Sequence, residues 1–213
     1  MKISLIYFDF PFWRAEIARL SLFIGNIEFE DVRITSDEFQ RVKSNGQLDN
    51  GIKIPFNQLP CLVVDNISIA QTGGIARFCG KLANLYPQND NLEAAKIDQF
   101  IDIATDLTEL ISKTKVEDRK NLSVGELARK LSILNKSMEL SNGYLVGNTI
   151  SIADIAIWRL MGWITSGSLD GIPLDVLKDH NNISKICLLV DKHPKVNEWI
   201  NKTYPKNYIR GHF

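Results

Sequence analysis

Apolar and polar positions along the first eighty residues predict strands and helices in turn. The segment Ile3–Phe8 is almost continuously apolar and predicts a buried strand. Apolar residues then recur with a helical period up to a glycine at position 25, at Trp13, Ile17, Leu20 and Ile24. This pattern predicts an amphipathic helix that ends at the glycine. A strand followed directly by a helix opens a βαβ unit.

The next two segments have a weaker pattern. Residues 27–34 predict a second strand, although its apolar phase slips between Phe29 and Val32. The segment 35–53 is rich in Asn, Asp, Gly and Ser, and it predicts a short helix around residues 39–42 followed by a long loop. Long loops in compact domains are often functional.

A hairpin and a third helix complete this part of the chain. Residues 61–64 and 67–69 predict two strands that pair antiparallel, because the Asp-Asn dipeptide at 65–66 suits a tight turn. A helix is then expected to begin at Gln71-Thr72, with Thr72 as its N-cap. The order strand, helix, strand, helix or loop, strand, strand, helix is the thioredoxin-like layout.

Beyond this part, the pattern becomes helical throughout. The segment 82–91 contains Pro87 and several asparagines, which is typical of a linker. Two later runs have a helical period, at Leu92, Ile97, Ile101, Ala104, Leu107 and Ile111, and at Leu127, Leu131, Leu134 and Leu140. We therefore expect an α/β plus all-α protein, with a thioredoxin-like domain over 1–81, a linker over 82–91 and an all-helical domain over 92–213.

Composition narrows the class of protein further. The chain has 213 residues, 45% of them apolar, which suffices for a substantial core. Its 25 basic residues balance 25 acidic residues, so nothing indicates a nucleic-acid binder. The first apolar run lacks a signal-peptide cleavage site, and no window approaches the roughly 18 consecutive apolar residues of a membrane span. We expect a protein without a membrane partner.

Cysteine and histidine usage predicts a cytoplasmic protein that needs no metal. The three cysteines are odd in number, widely spaced and embedded in apolar sequence, at Cys61, Cys79 and Cys187. This is typical of buried, reduced thiols in the cytoplasm. The chain has no CxxC pair, and its three histidines, His180, His193 and His212, have no metal-ligand spacing.

Four short motifs, in order along the chain, resemble those of Tyr-type cytosolic glutathione transferases, nearest to the sigma class. They are Tyr7-Phe8-Asp9 followed by Arg14-Ala15-Glu16-Ile17-Ala18-Arg19; Gln58-Leu59-Pro60-Cys61-Leu62; Gln71-Thr72 with Ile75-Ala76-Arg77-Phe78; and 147–154, Gly-Asn-Thr-Ile-Ser-Ile-Ala-Asp. The similarity covers essentially the whole chain. It implies an N-terminal domain that binds glutathione and a helical domain that supplies the pocket for an apolar electrophile.

The resemblance also implies catalytic roles. A glutathione thiol is a poor nucleophile while protonated, so a transferase must favour the thiolate at neutral pH. Tyr7 is expected to donate a hydrogen bond to the sulfur, with Arg14 and the N-terminus of the first helix as electrostatic helpers. Tyr7 as an ordinary core tyrosine remains the alternative.

A second set of residues is expected to bind glutathione. Thr72, with Gln71, matches the position that holds the γ-glutamyl carboxylate at a helix N-terminus, although a capping role alone is the alternative. A cis Pro60 would direct the backbone of Leu59 toward the cysteinyl part. The remaining residues match positions near the tripeptide: Phe8, Phe39 in place of a common tryptophan, and Lys43 and Gln58 near the glycyl carboxylate. Lys43 could equally be a solvated surface lysine.

The resemblance implies a homodimer as well. Asp102 and Asp106 are one helical turn apart and share a face of their helix. In relatives a carboxylate here reaches the glutathione bound to the partner subunit, so Asp106 is the expected contributor and Asp102 is held in reserve. Two solvated carboxylates on an exposed helix are the alternative.

The segment between Tyr7 and Arg14 departs from the family pattern. It is one residue longer than in the sigma class and unusually aromatic, with Phe10, Phe12 and Trp13. These three, with Leu107 and Ile111 of the helical domain, are the expected contacts of the electrophile. The aromatic residues could instead block the pocket or serve packing.

Two further motifs have mainly structural interpretations. Ser151 and Asp154 have the spacing of a reciprocal helix cap, so they are expected to stabilise a helix and not to catalyse. Gly73-Gly74, directly after Thr72, is atypical and suggests a close backbone approach by a ligand or by a neighbouring strand.

Beside conjugation, one functional alternative is poorly supported by the sequence and two remain open. A thiol-transfer enzyme of the glutaredoxin or omega type would need a cysteine at the start of the first helix, where this chain has none. A noncatalytic binding or structural protein with this fold is the second alternative, favoured by the aromatic segment. The third is a glutathione-dependent isomerase of lipid endoperoxides, which would use the same site.

Overall fold

The computed structural model describes residues 1–140 and 143–213, which form two compact units, Met1–Gln88 and Asn89–Phe213. The division falls inside the segment 82–91 that the sequence suggests as a linker. The first unit contains a four-stranded sheet with helices, and the second is built from helices. The predicted fold class, thioredoxin-like followed by all-helical, is confirmed.

The first unit has a mixed sheet. Its elements are β1 (Ile3–Phe8), α1 (Trp13–Ile24), β2 (Glu30–Ile34), α2 (Ser36–Asn45), β3 (Cys61–Val64), β4 (Ile67–Ala70) and α3 (Thr72–Leu82). The strand order is β2-β1-β3-β4. β1 pairs parallel with β2 and antiparallel with β3, and β3 pairs antiparallel with β4. The predicted hairpin is therefore present, with Asp65 at positive φ in its turn.

Strand and helix bounds agree best with the prediction where the local pattern is strongest. β1 has the predicted bounds and is buried along almost its whole length. α1 begins at Trp13 and ends at Ile24, with Gly25 as its C-cap, as its apolar stripe predicts. Both elements have a strong period, so their local sequence specifies them.

Two predicted elements differ in length. β2 begins at Glu30 and not at residue 27, because the Ile27 amide donates to the carbonyl of Leu22 at the end of α1 and turns the chain there. α2 is a ten-residue helix, longer than predicted. Thr35 and Glu38 form a capping box in which each residue's backbone amide donates to the other's side chain, and this fixes the start of α2.

The sheet of the first unit has apolar residues on both faces. Leu5 and Tyr7 of β1 belong to the core that contains residues of α1 and α3, whereas Ile6 packs with Val42 of α2. This alternation follows from the period of two along a strand. One consequence is that Tyr7 points to the face covered by α1 and α3.

The second unit is built around one buried helix. Its elements are α4 (Asn91–Lys113), α5 (Arg119–Val124), α6 (Glu126–Ser137), α7 (Ile152–Ile164), α8 (Asn181–Asp191) and α9 (Pro194–Thr203). α7 is buried on almost every side and packs against α4 and α8. Two residues of the predicted apolar stripes lie outside the buried helix faces. Leu140 lies beyond the end of α6, and Leu92 at the start of α4 is exposed. In the described ranges no helix is long and apolar enough to span a bilayer.

Candidate active site

Three neighbouring strands bring candidate residues to one edge of the sheet in the first unit. Two register pairs define this edge: Ile6 with Cys61, and Cys61 with Ala70. Tyr7 directly follows Ile6, Pro60 directly precedes Cys61, and Gln71 directly follows Ala70. All three therefore lie at the same edge. α1, α2 and α3 each begin shortly after the strand that ends here, and helix N-termini favour anions.

Tyr7 is buried at the end of β1, with 5% of its surface exposed. Its ring contacts Phe8 and Phe10, at centroid distances of 5.3 and 5.7 Å. Burial raises the pKa of the Tyr7 phenol to about 12, against the opposing effect of the charges of Arg14 and Arg19. The phenol is therefore protonated at neutral pH and can donate a hydrogen bond.

Arg14 lies in the first turn of α1 and is partly buried. Its guanidinium carbon is 5.3 Å from the centroid of the Trp13 ring, a cation–π distance. Because its charge lowers the pKa of Tyr7, it also favours negative charge near the phenol. The charge of Arg14 and the N-terminus of α1 thus both favour an anion at this edge.

The aromatic segment after β1 forms a continuous row of rings. Phe10 stacks on Phe8 at 5.9 Å and contacts Phe12 at 5.9 Å, and Phe12 contacts Trp13 at 6.4 Å. Phe10 is 46% exposed, whereas Trp13 has no exposed surface. The exposed Phe10 ring can therefore contact a ligand, and the burial of Trp13 favours a packing role.

The peptide bond between Leu59 and Pro60 is cis, as the family resemblance implies. Leu59 is half-buried and packs against both cores of the unit. Gln58 and Gln71 meet beside it, since the Gln71 side-chain amide donates to the Gln58 side-chain oxygen at 2.9 Å. Both glutamines are exposed, so their remaining polar atoms can bind a ligand.

Thr72 is the first residue of α3 and not its cap, which corrects the expectation from the sequence. The N-cap is Gln71, with a positive φ of 72° and no hydrogen bond from its side chain to the helix. The Thr72 hydroxyl is buried and has no hydrogen-bond partner among the described residues. An unsatisfied buried hydroxyl is uncommon and demands an explanation. At a helix N-terminus, an anionic ligand would satisfy it together with the first amides.

The surroundings of Gly73 and Gly74 do not support a close approach by a neighbouring strand. A Cβ at Gly74 would have nothing within 4 Å, and one at Gly73 would meet only the Arg77 side chain, at 3.3 Å. A neighbouring strand therefore does not require these glycines. Open space above the first turn of α3 leaves its amides accessible to a ligand.

Phe39 and Lys43 of α2 continue the aromatic row from the other side. The Phe39 ring meets the edge of the Phe8 ring at 5.2 Å. The Lys43 ammonium lies 5.0 Å from the centroid of Phe39, a cation–π distance, and the lysine is otherwise exposed. Contacts thus connect Tyr7 through Phe8 and Phe39 to Lys43.

The candidate residues of the second unit lie on α4. Asp102 and Asp106 are exposed and line a groove of about 500 Å³ between α4 and α6, together with exposed Ile103 and Ile133. Leu107 and Ile111 are buried, which favours a packing role for both. Arg129 and Lys130 add positive charge to the same groove.

The thiols show no sign of reactivity. Burial raises the pKa of Cys61 to about 11 and that of Cys79 to about 12, so both stay protonated. Cys187 is also free and buried. In the part of the chain that the structure describes, no three His, Cys, Asp or Glu side chains cluster as metal ligands would.

Two residues near this edge received no role from the sequence. Arg19 is fully buried and lies under the Tyr7 ring, with its guanidinium carbon 5.9 Å from the ring centroid. In the sequence, only the spacing of Glu16 and Arg19, one helical turn apart, indicates an ion pair at this arginine. Phe56 is 73% exposed at positive φ, just before the cis peptide. No local pattern distinguishes it from an ordinary loop residue.

Fold and site together define a class of protein. A thioredoxin-like unit presents a protonated phenol, a cis-proline segment and an unsatisfied hydroxyl at a helix N-terminus, and an all-helical unit follows it. This is the arrangement expected of an enzyme that binds a thiol-containing peptide and activates its sulfur.

Comparisons with known proteins identify the family. Residues 3–80 match the family model of the glutathione S-transferase N-terminal domain, and residues 98–203 match that of the C-terminal domain. Glutathione S-transferase 2 of Onchocerca volvulus is 32% identical over 203 residues, covering 88% of this chain and 92% of the relative. The chain therefore belongs to the glutathione S-transferase family.

Two other similarities concern proteins with a more specific name. Human hematopoietic prostaglandin D synthase is 28% identical over 204 residues, covering 93% of this chain and 95% of the relative. The solved structure of prostaglandin synthase D from Nilaparvata lugens superimposes with a TM-score of 0.80 at 26% identity, over 96% of this chain and all of that chain.

The predicted family and enzyme class, glutathione S-transferase, are confirmed. Members of this family bind glutathione and electrophiles, and dimers are typical among them.

Proposed function

We propose that this chain conjugates glutathione to small apolar electrophiles, with the Tyr7 hydroxyl donating a hydrogen bond to the glutathione thiolate. The observation that carries this assignment is the position of Tyr7 at the site edge, next to the cis-proline segment and under the influence of the Arg14 charge, with a phenol that stays protonated at neutral pH. A phenol that stays protonated can donate to a sulfur anion throughout the neutral range. Each pKa unit by which the thiol is lowered corresponds to about 1.4 kcal/mol of preference for the anion.

Arg14 is the proposed electrostatic helper. Its charge already acts on Tyr7, and it lies in the first turn of α1, where the helix dipole also favours an anion. The thiol releases its proton to solvent, and both groups stabilise the thiolate that remains. The thiolate then attacks the electrophilic carbon, and the leaving group departs with its electron pair.

Thr72 is the proposed main contact of the γ-glutamyl carboxylate. Its buried hydroxyl without a partner in the described structure, together with open space over the first turn of α3, supports this role. Gln71 adds an amide contact, and its hydrogen bond to Gln58 holds both side chains at this edge. The cis peptide at Pro60 supports backbone pairing of Leu59 with the cysteinyl part of the peptide.

The opposite end of the tripeptide is assigned to α2. Lys43 provides a cation for the glycyl carboxylate, with Gln58 as a weaker neutral partner. Phe8 and Phe39 form the apolar surface between this end and Tyr7. Phe10, which is exposed, and Phe12, which is half-buried, are the proposed contacts of the electrophile. Trp13 supports this surface through packing only, whereas Leu107 and Ile111 are buried within the second unit.

We further propose a homodimer in which Asp106 binds the α-amino group of glutathione in the partner subunit. The exposed carboxylates of α4, beside the exposed apolar side chains of Ile103 and Ile133, support a subunit contact on this face. Asp102 is the second candidate for the same role. The buried, protonated thiols support a reducing cytoplasmic location.

A second candidate function is isomerisation of a lipid endoperoxide with glutathione. The similarities to human hematopoietic prostaglandin D synthase and to prostaglandin synthase D of Nilaparvata lugens favour it. It would use the same thiolate and Tyr7, and differ only in the bound lipid. Turnover of a prostaglandin endoperoxide in place of an aryl halide would establish this alternative.

Conjugation of 1-chloro-2,4-dinitrobenzene by the parent chain and by Tyr7→Phe tests the proposed function. Loss of one hydrogen bond to the developing anion is expected to lower kcat/KM by about 10²-fold, with a smaller change in the KM for glutathione. Tyr86→Phe is the matched control, because Tyr86 is another buried tyrosine of the first unit and lies outside the proposed site. No turnover of either substrate by the parent would favour a noncatalytic binding protein. Equal activity of the two variants would show that Tyr7 does not activate the thiol.

A further inference from the structure

The most deeply buried charge of the first unit is the guanidinium of Arg19. Its Nε donates to Asp31 at 2.9 Å, and its Nη1 donates to Glu16 at 3.0 Å. The side chains of Arg19 and Glu16 are each only 1% exposed. Burying an arginine is costly unless its charge is paired and its donors are satisfied. Here two carboxylates pair the charge, so the guanidinium can be buried at a fixed position.

The remaining donors of Arg19 bind the backbone that follows Tyr7. Nη2 donates to the carbonyl of Phe8 at 3.2 Å, and Nη1 also donates to the carbonyl of Phe10 at 3.3 Å. The Phe10 carbonyl accepts a further bond from the Phe12 amide at 3.0 Å. One rigid planar group thus spans the segment that carries the aromatic row.

A chain of alternating charges fixes the same segment from outside. Asp31 accepts from Arg19 through one oxygen and from Arg33 through the other, both at 2.9 Å. Arg33 also pairs with Asp9, which lies between Phe8 and Phe10. The order Glu16, Arg19, Asp31, Arg33, Asp9 alternates in sign, so each inner charge has an opposite neighbour on both sides. The segment is bound from the core and from the surface.

We propose that Arg19 is a positioning residue of the transferase site: it holds the Phe8 and Phe10 carbonyls so that the Tyr7 phenol and the Phe10 ring keep the geometry needed at the sulfur. The role rests on the proposed function of Tyr7. It differs from that of Arg14, because Arg19 is buried beneath the segment and acts through the backbone. A shift of about 1 Å at a reacting group can change a rate by about 10²-fold.

Electrostatics supports the same role. The Arg19 guanidinium lies 5.9 Å from the Tyr7 ring, and its charge opposes the rise in the phenol pKa that burial causes. Loss of this charge would make Tyr7 a weaker hydrogen-bond donor to the thiolate, because donor strength increases with acidity. Arg19 would therefore affect the acidity of the bound glutathione thiol as well as the geometry.

Two variants separate positioning from folding. Arg19→Lys keeps the charge but cannot satisfy two carbonyls and two carboxylates at once. The double variant Glu16→Gln with Arg19→Met removes both fully buried charges, so neither is left unpaired, while Arg33 still pairs with Asp31. Arg41→Gln is the matched control, since Arg41 pairs with Asp49 on the surface of the same unit.

For each folded variant we would measure kcat, the KM for glutathione and the pKa of the bound thiol from the ultraviolet absorbance of its thiolate. We expect Arg19→Lys to lower kcat several-fold and the double variant to lower it by about tenfold or more. The bound thiol pKa should rise by about one unit in the double variant. The KM for glutathione should change little, because Thr72 and the cis-proline segment are untouched.

The outcomes distinguish this role from the proposed function. If Tyr7→Phe loses activity but both Arg19 variants match Arg41→Gln in kcat and thiol pKa, the positioning role is wrong and the function of Tyr7 stands. If Tyr7→Phe retains full activity, the proposed function fails regardless of Arg19. A uniform rise in KM with unchanged thiol pKa would indicate a general structural effect and would also overturn the positioning role.

Discussion

At the residue scale, three polar side chains near the same edge of the sheet are all buried but differ in their hydrogen bonds. Tyr7 is buried and protonated, Thr72 is buried without a hydrogen-bond partner in the described structure, and Arg19 is buried with a hydrogen bond from each of its three guanidinium nitrogens. The sequence identifies the first two as candidates through motifs. It gives no sign that Arg19 is the most enclosed charge, because burial depends on strands and loops distant in sequence.

Thr72→Val tests whether the unsatisfied hydroxyl exists for a ligand. Valine has nearly the same shape, so removal of an unpaired buried hydroxyl should leave the free energy of unfolding unchanged or slightly higher. Glutathione, which would lose a hydrogen bond from its carboxylate, should bind at least about tenfold more weakly. Calorimetric titration with glutathione and urea unfolding measure the two quantities.

Thr72→Ser is the matched control, since it keeps the hydroxyl and should retain most of the affinity. A ligand-binding role would be contradicted if Thr72→Val bound glutathione as tightly as the parent. It would also be contradicted if Thr72→Val were strongly destabilised, because the hydroxyl would then have a structural partner.

At the element scale, a predicted start was correct where a local signal sets it. The helix cap predicted at Ser151 and Asp154 is present at the start of α7, where the Ser151 amide and hydroxyl both donate to Asp154 at 2.7 Å. The Leu145 amide donates to the other carboxylate oxygen at 2.9 Å. β2, in contrast, starts three residues later than its apolar pattern suggests, because the turn after α1 is set by a contact with Leu22.

Asp154 should make the stability of the second unit depend on pH. Burial raises its pKa from 3.8 to about 6, against hydrogen bonds from Leu145 and Ser151 that lower it. A carboxyl whose pKa is raised by folding stabilises the fold fully below its unfolded pKa, and this contribution is lost as pH rises through the folded pKa. The free energy of unfolding should therefore fall by on the order of 2–3 kcal/mol between about pH 4 and pH 7 through this group.

Asp154→Asn removes the titration and should flatten that part of the pH dependence, at the cost of one hydrogen-bond acceptor in the cap. Urea unfolding of parent and variant across this pH range measures the difference in slope. Asp175→Asn, at an exposed aspartate of the same unit, should keep the slope of the parent. Parallel curves for parent and Asp154→Asn would show that Asp154 does not titrate in this range.

At the scale of the whole molecule, the proposed dimer makes each site depend on two chains. Asp106 lies on an exposed face of α4, in the second unit, whereas Tyr7 lies in the first. If Asp106 acts across subunits, a mixed dimer of Tyr7→Phe with Asp106→Asn contains one site with both native residues. If Asp106 acts within its own chain, no site in that dimer has both.

Coexpression of the two variants with different affinity tags gives the mixed dimer for kinetic measurement. We expect about half the parental activity at limiting glutathione, well above the mean of the two homodimers. Activity equal to that mean would place Asp106 within its own subunit or outside the site. A monomer in sedimentation equilibrium would refute the dimer directly.

The sequence by itself determined the elements whose signals are local. The periods of β1 and α1, the hairpin turn at 65–66 and the cap at Ser151 act within a few residues, so they can be predicted without knowledge of the rest of the chain. The order of the motifs also sufficed to identify the family. Local chemistry thus fixed the class of the protein and named most candidate residues.

The tertiary structure decided which candidates share an environment. Strand register brings Tyr7, Pro60 and Gln71 to one edge, and packing leaves Phe10 partly exposed while it encloses Trp13 and Arg19. These outcomes depend on contacts between residues far apart in the chain, which no local period encodes. Burial raises the pKa of Tyr7, so its phenol stays protonated, and it leaves the Thr72 hydroxyl without a hydrogen-bond partner among the described residues. The proposed chemistry depends on these two properties.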